Sequence, residues 1–168
     1  MKIYIGQCPD INKEDAFGED KGTRRAFARY SEDVGLIEAY LYDPDPYVRT
    51  GLAANLVATS EILDILADDS DEFVRSTVAL NSNTSPETLA RLSEDSEEIV
   101  RNNVAANENT TTETLAKLAD DRKWSVRENV AYNENTDKAT LQKLLSDEKQ
   151  CVYEAASYSI KYYTGPKS

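Results

Sequence analysis

Apolar residues recur along this chain at a strict interval of 26 residues. The simplest column to follow is a set of valines: Val48, Val74, Val100, Val126 and Val152. A fixed period of about 20–50 residues is the signature of stacked repeats, in which each copy buries its apolar side against its neighbours. The period therefore predicts one solenoid of about five repeats that folds as a single unit, because no copy can bury its apolar side alone.

The first half of each repeat carries apolar residues four positions apart. In one copy Val100 and Val104 have this spacing, with Ala105 beside them. The spacing places them on one face of a helix of about ten residues, from Glu97 to about Asn107. An asparagine recurs at the end of each such helix: Asn55, Asn81, Asn107 and Asn133. Since asparagine tolerates the left-handed conformation and can bond helix-end carbonyls, we expect these residues to be helix stops.

The second half of each repeat predicts a shorter helix. Its leucines are spaced i, i+3, at Leu63/Leu66, Leu89/Leu92, Leu115/Leu118 and Leu141/Leu144. Residues able to cap a first turn precede them, at Thr59, Ser85, Thr111 and Asp137. Pro86 follows its cap, where a missing N–H costs least, and Glu87 with Arg91 forms an i, i+4 pair that we expect on the water side. A helix of about two turns is either α or 3₁₀.

The N-terminal segment stands outside the period. Residues 1–22 include Lys2-Ile3-Tyr4-Ile5, which alternates like a short strand. We interpret this segment as an N-terminal cap, with a flexible segment as the alternative. From Thr23 the repeat begins in degenerate form, and Ala26-Phe27-Ala28 aligns with Val104-Ala105-Ala106.

The last copy also departs from the pattern. Its helix continues past Val152 to Tyr163, and no second helix follows it in the sequence. Terminal repeats have one side without a neighbour, so we interpret this copy as a C-terminal cap. The predicted organisation is a solenoid over residues 23–163 with a tail at 164–168.

One copy shows the full set of repeated positions: Asp69, Val74, Arg75, Val78, Ala79, Asn81, Leu89 and Leu92. This pattern, which extends from Thr23 to Ile160, resembles the variant leucine-rich repeat and is similar to HEAT-like helical repeats. The resemblance implies an all-α fold, a right-handed α–α superhelix of alternating α and 3₁₀ or short α helices without a sheet. It implies no catalytic residues. The last copy departs from the pattern, because Tyr153 stands where the others have arginine.

Two charged columns accompany the apolar ones. The basic column is Arg49, Arg75, Arg101 and Arg127, and the acidic column is Asp43, Asp69, Asp95, Asp121 and Asp147. A guanidinium group presents several donors in a fixed fork that suits carboxylates and helix-end carbonyls. We therefore predict a structural ladder between neighbouring repeats, rather than the alternative of a row of anion receptors.

The net charge of −12 is concentrated in the turns between repeats. The fourteen acids there are Asp43, Asp45, Asp68, Asp69, Asp71, Glu72, Glu94, Asp95, Glu97, Glu98, Asp120, Asp121, Asp147 and Glu148. One hypothesis is an acidic inhibitor that imitates nucleic acid and occupies a nucleic-acid-binding protein. Duplex DNA carries a charge per about 1.7 Å, which is several-fold denser than these turns. The alternative is that acids favour helix N-termini and keep the solenoid soluble.

Aromatic residues interrupt the repeat near its C-terminal end. Trp124, Glu128 and Tyr132 are spaced i, i+4, i+8 on one first helix, and Tyr158 occupies the column of Tyr132 in the next copy. Trp and Tyr are the residues most often energetic at interfaces. One interpretation is a protein-binding patch formed by these residues together with the acids Glu94, Asp95, Glu97 and Glu98. The other is that the rings are packing or capping residues.

Catalysis and cofactors find little support in the sequence. The chain has no histidine, and Cys8 and Cys151 show no metal-ligand or disulfide spacing. We predict no catalytic residues, no metal and no cofactor. A helical-repeat DNA-repair glycosylase is a remote alternative, but such an enzyme needs a basic groove.

The partner and the compartment are predicted from charge and hydropathy. A net charge of −12 disfavours direct binding of nucleic acid and favours a protein partner with a basic surface. The chain lacks an apolar run long enough to span a membrane or to serve as a secretion signal, so the cytoplasm is the expected compartment. The predicted function is a non-enzymatic macromolecular-interaction module.

Overall fold

A computed structural model describes residues 20–163 and residue 165, and in these residues the chain forms eleven α-helices, one 3₁₀ helix and no strand. The helices are α1 (Lys21–Tyr30), α2 (Val34–Ala39), the 3₁₀ helix (Tyr40–Tyr42), α3 (Pro46–Ala53), α4 (Ser60–Leu66), α5 (Glu72–Leu80), α6 (Pro86–Leu92), α7 (Glu98–Ala106), α8 (Thr112–Leu118), α9 (Trp124–Tyr132), α10 (Lys138–Leu144) and α11 (Gln150–Lys161). The predicted segment 1–22 lies outside the described residues except for its last three positions.

The helices form two layers. The first helices of successive repeats, α1, α3, α5, α7, α9 and α11, pack side by side in chain order. The second helices α4, α6, α8 and α10 each contact the first helix of their own repeat and that of the next. This architecture confirms the predicted all-α solenoid, while its right-handedness stays a prediction.

The core runs through the solenoid as one continuous cluster. The valine column is fully buried at Val48, Val74, Val100, Val126 and Val152. The second helices add their leucine pairs, from Leu63 and Leu66 in α4 to Leu141 and Leu144 in α10. The apolar columns of the sequence are therefore the core, as predicted.

The second helices are α-helical and begin where the sequence predicted. Each of the four is seven residues long, and its cap accepts a hydrogen bond from a backbone N–H in the first turn, from Thr59 in α4 to Asp137 in α10. The predicted pair of Arg91 with Glu87 is wrong. Arg91 instead donates to Asp64 of the preceding repeat at 2.8 Å, because stacking brings that carboxylate within reach.

The first copy is out of register by one residue. The helix α1 begins at Lys21 with Asp20 as its cap, two residues before the predicted start. Asn55 donates to the carbonyl of Ala28 in the way that Asn81 donates to the carbonyl of Ala53. Ala28, and not Phe27, therefore occupies the buried alanine column, and the predicted alignment of this copy is wrong.

The close approach of α1 explains a glycine in the middle of α3. A Cβ atom at Gly51 would lie 2.7 Å from the backbone oxygen of Arg25. Later copies have Thr77 and Asn103 in this column, where the neighbouring helix leaves room for a side chain. Glycine weakens a helix relative to alanine, so its presence here reflects the packing of α1 on α3.

The last first-layer helix, α11, is longer than the others, with 12 residues ending at Lys161. The predicted longer terminal helix is confirmed, but it ends two residues before the predicted Tyr163, with Tyr162 as its C-cap. Thr164 and most of the predicted tail 164–168 lie outside them.

Candidate functional site

The arginine column forms a ladder that joins each repeat to the next. Each Nε donates to an aspartate Oδ2 twenty residues later, at 2.6–2.7 Å for Arg49–Asp69, Arg75–Asp95, Arg101–Asp121 and Arg127–Asp147. Each Nη1 also donates to the backbone oxygen of the aspartate at the start of its own helix, as Arg101 does to Asp95 at 2.7 Å. These contacts confirm the structural ladder, because the donors that an anion receptor would need are already engaged.

The ladder extends one step further than the sequence predicted. Arg24 of α1 donates to Asp43 at 2.8 Å, although it stands one position off the column. At the other end Tyr153 replaces the arginine and is exposed. Within the described residues, the arginine–aspartate pairs therefore extend from Arg24 in α1 to Asp147 in the turn before α11.

The ladder lowers the pKa of Asp69, Asp95, Asp121 and Asp147. Burial of Asp69, Asp95 and Asp121 raises the pKa of each. The pKa is lowered by more than this by two hydrogen bonds, one from the paired arginine and one from the backbone N–H two residues later. The charges of two arginines lower it further. At Asp147 the hydrogen bond from Arg127 is the largest cause and lowers the pKa. The ionised forms are thus favoured in the folded protein.

These lowered pKa values predict acid sensitivity. A group whose pKa is lower in the folded than in the unfolded state stabilises the fold above its unfolded pKa, near 4 for aspartate, and loses that contribution as the pH falls through the folded pKa. We expect urea midpoints to fall steeply below about pH 4. The matched variant is Asp121→Asn, which should lose less stability than wild type between pH 5 and pH 2. Identical pH profiles would contradict the prediction.

The asparagine column also joins repeats. The Nδ2 of Asn107 donates to the backbone oxygens of Ala79 and Asn81 in the preceding repeat at 2.8 and 3.1 Å, and its Oδ1 accepts from the N–H of Asn109 at 2.8 Å. Asn81 and Asn133 make the same set of bonds. The helix stop is confirmed, but the left-handed conformation is wrong, since Asn107 has φ −72° and ψ 134°.

Part of the predicted acidic surface is enclosed within the ladder. The side chain of Asp95 is 8% exposed and is held by Arg75. It is therefore unavailable as a surface charge, which corrects its place among the candidate contact residues. Glu94 is exposed, while Glu97 and Glu98 are half-buried. Hydrogen bonds from Ser125 and Lys123 lower the pKa of Glu98.

The first helices leave one face uncovered by the second layer. A row of exposed apolar side chains lies along this face at the N-terminal ends of the helices. The row consists of Tyr47, Phe73, Ile99 and Trp124, which are 44–57% exposed. The first three stand in one column at 26-residue intervals, and Trp124 lies one position before that column. We call this set the upper row.

A second apolar row lies along the other end of the same helices. It consists of Leu80, Tyr132 and Tyr158, which are 55–62% exposed, and we call it the lower row. Seven residues separate the two columns, which places them on the same side of an α-helix. Between the rows Asn103 and Asn129 donate across to backbone oxygens of the preceding repeat. The polar strip between the rows is thus already bonded within the solenoid.

The structure brings only part of the predicted patch together. Trp124, Glu128 and Tyr132 lie on α9, and Glu128 is half-buried. Tyr158 lies on α11, beside Tyr132. Glu94 and Glu97 belong to the turn before α7 and are not part of the lower row. Sequence reasoning missed the exposed Tyr47, Phe73, Ile99 and Leu80, although three of them share an apolar column next to the buried valines.

A cleft opens at the C-terminal end of the lower row. It has a volume of about 300 Å³ and is lined by Tyr132, Glu134, Leu141, Tyr158, Tyr162 and Tyr163 among others. The rings of Tyr158 and Tyr162 are 5.0 Å apart between centroids and tilted by 53°. Four tyrosines therefore contribute to the lining of this cleft.

Two kinds of feature, a metal-binding group and a membrane-spanning helix, are absent from the described residues. No group of three or more Cys, Asp or Glu side chains in residues 20–163 is arranged to hold a metal ion. Across the same part of the chain, no helix is both long enough and apolar enough to cross a membrane.

The repeats, their shared core and the inter-repeat ladders define this chain as a helical repeat protein. A family model described as "Leucine rich repeat variant" matches residues 72–97, the length of one repeat. The match confirms the resemblance inferred from the repeated columns.

Solved structures of helical repeat proteins are similar to the chain. One is described as "a leucine-rich repeat variant with a novel repetitive protein structural motif", at 22% identity and a TM-score of 0.41, covering 88% of this chain and 71% of that one. Another is a designed armadillo repeat protein, at 18% identity and a TM-score of 0.49, covering 93% of this chain and 96% of that one. A search of curated proteins found no match.

Proposed function

We propose that this chain is a non-enzymatic protein-binding scaffold whose partner lies across the exposed face of the first helices. The observation that carries the proposal is the pair of apolar rows on that face. Seven large apolar side chains stand 44–62% exposed there in two lines. Exposed apolar groups arranged in a contiguous patch mark interaction sites, whereas isolated ones need no explanation.

The chemistry of the face supports a protein partner with basic residues. Trp124 and three tyrosines supply the residue types that dominate binding energy at protein interfaces. Glu72 and Glu128 lie on the same helices as the rows, whereas Glu98 is paired with Lys123. With a net charge of −12, the scaffold attracts cationic segments and repels acidic ones.

The acidic-inhibitor hypothesis has less support. Five of the fourteen acids counted in the turns, namely Asp43, Asp69, Asp95, Asp121 and Asp147, form the ladder. Their charges are balanced by arginines within the solenoid. The remaining acids are further diluted by Lys123, Lys143 and Lys149, each of which pairs with a nearby carboxylate.

Affinity capture tests the proposal. The immobilised chain is exposed to source lysate, and bound proteins are identified by mass spectrometry for wild type, Trp124→Ala/Tyr132→Ala, and a control. The control is Tyr42→Ala/Ile65→Ala, which removes exposed apolar side chains from the 3₁₀ helix and α4, outside the two rows. We expect the Trp124/Tyr132 variant to lose partners by at least about tenfold, because aromatic hot spots cost 2 kcal/mol or more, and the control to retain them.

The salt dependence of binding and the effect of charge variants distinguish binding through the apolar rows from binding through the acidic turns. Binding held by an aromatic hot spot persists between about 50 and 200 mM salt, whereas binding by charge alone falls steeply. If the aromatic variant keeps every partner while Glu94→Gln/Glu97→Gln/Glu98→Gln loses them, the apolar rows are not the binding surface. The inhibitor hypothesis would then be favoured.

A further inference from the structure

Helix α1 concentrates positive charge in a chain whose net charge is −12. It carries no acid and four cations, Lys21, Arg24, Arg25 and Arg29. Lys21 and Arg24 are paired with aspartates of the turn before α3. The guanidinium groups of Arg25 and Arg29 make no hydrogen bond and no ion pair with the part of the chain that the structure describes. We call these two residues the arginine pair.

The arginine pair adjoins the upper row. Its two members are one helical turn apart on α1, so their side chains are neighbours, and both are half-buried. The guanidinium carbon of Arg25 lies 4.3 Å from the ring centroid of Tyr47, the first member of the upper row. The guanidinium carbon of Arg29 lies 5.6 Å from the ring centroid of Tyr30. The contact with Tyr47 connects this cationic site to the exposed face of the first helices.

The columns of the repeat continue from the arginine pair along the whole face. The bonds of Asn55 and Asn81 align Ala28 with Ala53, which places Arg29 in the column of the lower row and Arg25 in the polar strip between the rows. That column of the strip consists of Arg25, Thr50, Ser76, Asn102, Glu128 and Glu154. The strip is therefore cationic at α1, uncharged in the middle, and anionic at α9 and α11.

The arginine pair does not improve the stability of the fold. Like charges at positions i and i+4 destabilise a helix, and the Nε of Arg25 is buried without a hydrogen-bond partner, which costs free energy. A carboxylate placed against the two guanidinium groups offsets their repulsion. Its two oxygens also match the fork of donors that each guanidinium presents. The pair is therefore suited to an anionic group supplied from outside the solenoid.

Resting on the proposed function, we propose that the arginine pair binds an aspartate or glutamate side chain at one end of the partner segment. Basic residues at the other end of the segment lie against Glu128 and Glu154. The charges of the strip thus make the segment cross the face in one direction. The acidic net charge of the scaffold disfavours further acids along the segment, so its acidic end is confined to α1.

The length of the face sets the distance between the two ends of the segment. Packed helices are about 8–10 Å apart, and four intervals separate α1 from α9 in the first layer. The charged ends of the strip are therefore about 32–40 Å apart. An extended chain covers this distance in about ten to twelve residues.

The test is an NMR titration of the full chain with a peptide of about sixteen residues. The peptide has two glutamates at one end, two lysines at the other, leucine and serine between them, and a nitroxide label at either end. We expect a label at the glutamate end to broaden the amide signals of α1, and a label at the lysine end to broaden those of α9 and α11. Equal broadening of both regions by either label, or no binding at about 1 mM peptide, would overturn the proposal.

Variants test whether the arginine pair causes this direction. We expect Arg25→Gln/Arg29→Gln to weaken binding at least about threefold and to remove the preferred direction. Its urea midpoint should not fall, because the variant removes a like-charge pair. The control Lys117→Gln/Lys143→Gln changes the net charge equally, but on the second helices, and should bind as wild type does.

A charge exchange gives the sharper result. The variant Arg25→Glu/Arg29→Glu/Glu128→Arg/Glu154→Arg keeps the net charge, and we expect the peptide to bind it in the opposite direction. Binding in the wild-type direction would show that the strip does not orient the segment. Single-stranded nucleic acid is the rival ligand for arginines beside tyrosine rings. If a thymidine oligonucleotide of about twelve nucleotides binds α1 more tightly than the peptide does, the assignment to a protein segment is wrong.

The two proposals fail in different ways. If the peptide binds without a preferred direction while Trp124→Ala/Tyr132→Ala loses its partners, the scaffold stands and the role of the arginine pair is wrong. If the peptide binds in the expected direction while that double variant keeps all its partners, the apolar rows are not the binding surface and the role of the arginine pair stands.

Discussion

Replacing Arg101 with alanine is expected to lower the free energy of unfolding by about 3–5 kcal/mol, the usual cost of removing one partner from a buried ion pair. Arg101 is 5% exposed. It donates to the Asp121 carboxylate and to the backbone oxygens of Asp95 and Ser96. The variant leaves a buried carboxylate without its counter-charge and the Asp95 carbonyl without the arginine donor, while Ser96 keeps its bond from Arg122. Urea unfolding at pH 7 measures the change.

Arg91 provides the matched control. Like Arg101, it pairs with an aspartate of a neighbouring repeat, here Asp64 of the preceding one, but its side chain is 48% exposed. An exposed ion pair is worth about 0–1 kcal/mol, so Arg91→Ala should shift the urea midpoint only slightly. Similar midpoints for the Arg101 and Arg91 variants would show that the ladder does not hold the repeats together.

The periodic part of the sequence predicted the periodic part of the fold. Val74 and Leu89 recur because the same core position is rebuilt in every repeat, and a strict period leaves few alternatives for the helices that carry them. Capping residues such as Ser85 act within one turn of chain, so their role is also local and predictable. The arginine ladder followed from the same regularity, since both of its columns keep the period.

The failures occur where a role depends on a neighbouring repeat. The sequence around Arg91 points to Glu87 as its partner, because Glu87 lies one helical turn away. Arg91 pairs with Asp64 instead, because the stacking of repeats brings α6 beside α4. The local preferences of Asn107 predict a left-handed helix stop, whereas the residue ends the helix in an extended conformation and its amide bonds the preceding repeat. The first copy was misaligned because Ala26, Phe27 and Ala28 are all apolar enough to fill the column.

The candidate site was predicted only in part for a related reason. Trp124 and Tyr132 stand out in the sequence because they depart from the repeat, whereas Phe73 and Ile99 stand next to a buried valine and merge with the core pattern. Adjacent helix positions differ by about 100° around the axis, so a residue beside a core position can still face solvent. Exposure of Phe73, and burial of Asp95, are decided by how the layers stack.

The asparagine column carries the other large expected effect. Asn107→Asp keeps an oxygen for the N–H of Asn109 but cannot donate to the backbone oxygens of Ala79 and Asn81. It also places a carboxylate against those two buried acceptors. We expect a loss of about 3–5 kcal/mol in urea unfolding at pH 7. Asn107→Ala should lose about 2–3 kcal/mol, because it removes the bonds without adding a charge.

Asn102, five residues earlier on α7, is the control for this loss. Its side-chain oxygen Oδ1 is buried and has no hydrogen-bond partner among the described residues. A buried polar atom without a partner costs free energy, so Asn102→Ala should change stability by less than about 1 kcal/mol and can raise it. If Asn107→Asp unfolds at the wild-type urea midpoint, or if Asn102→Ala is as damaging as Asn107→Ala, the inter-repeat bonds of the asparagine column are not what stabilises the stack.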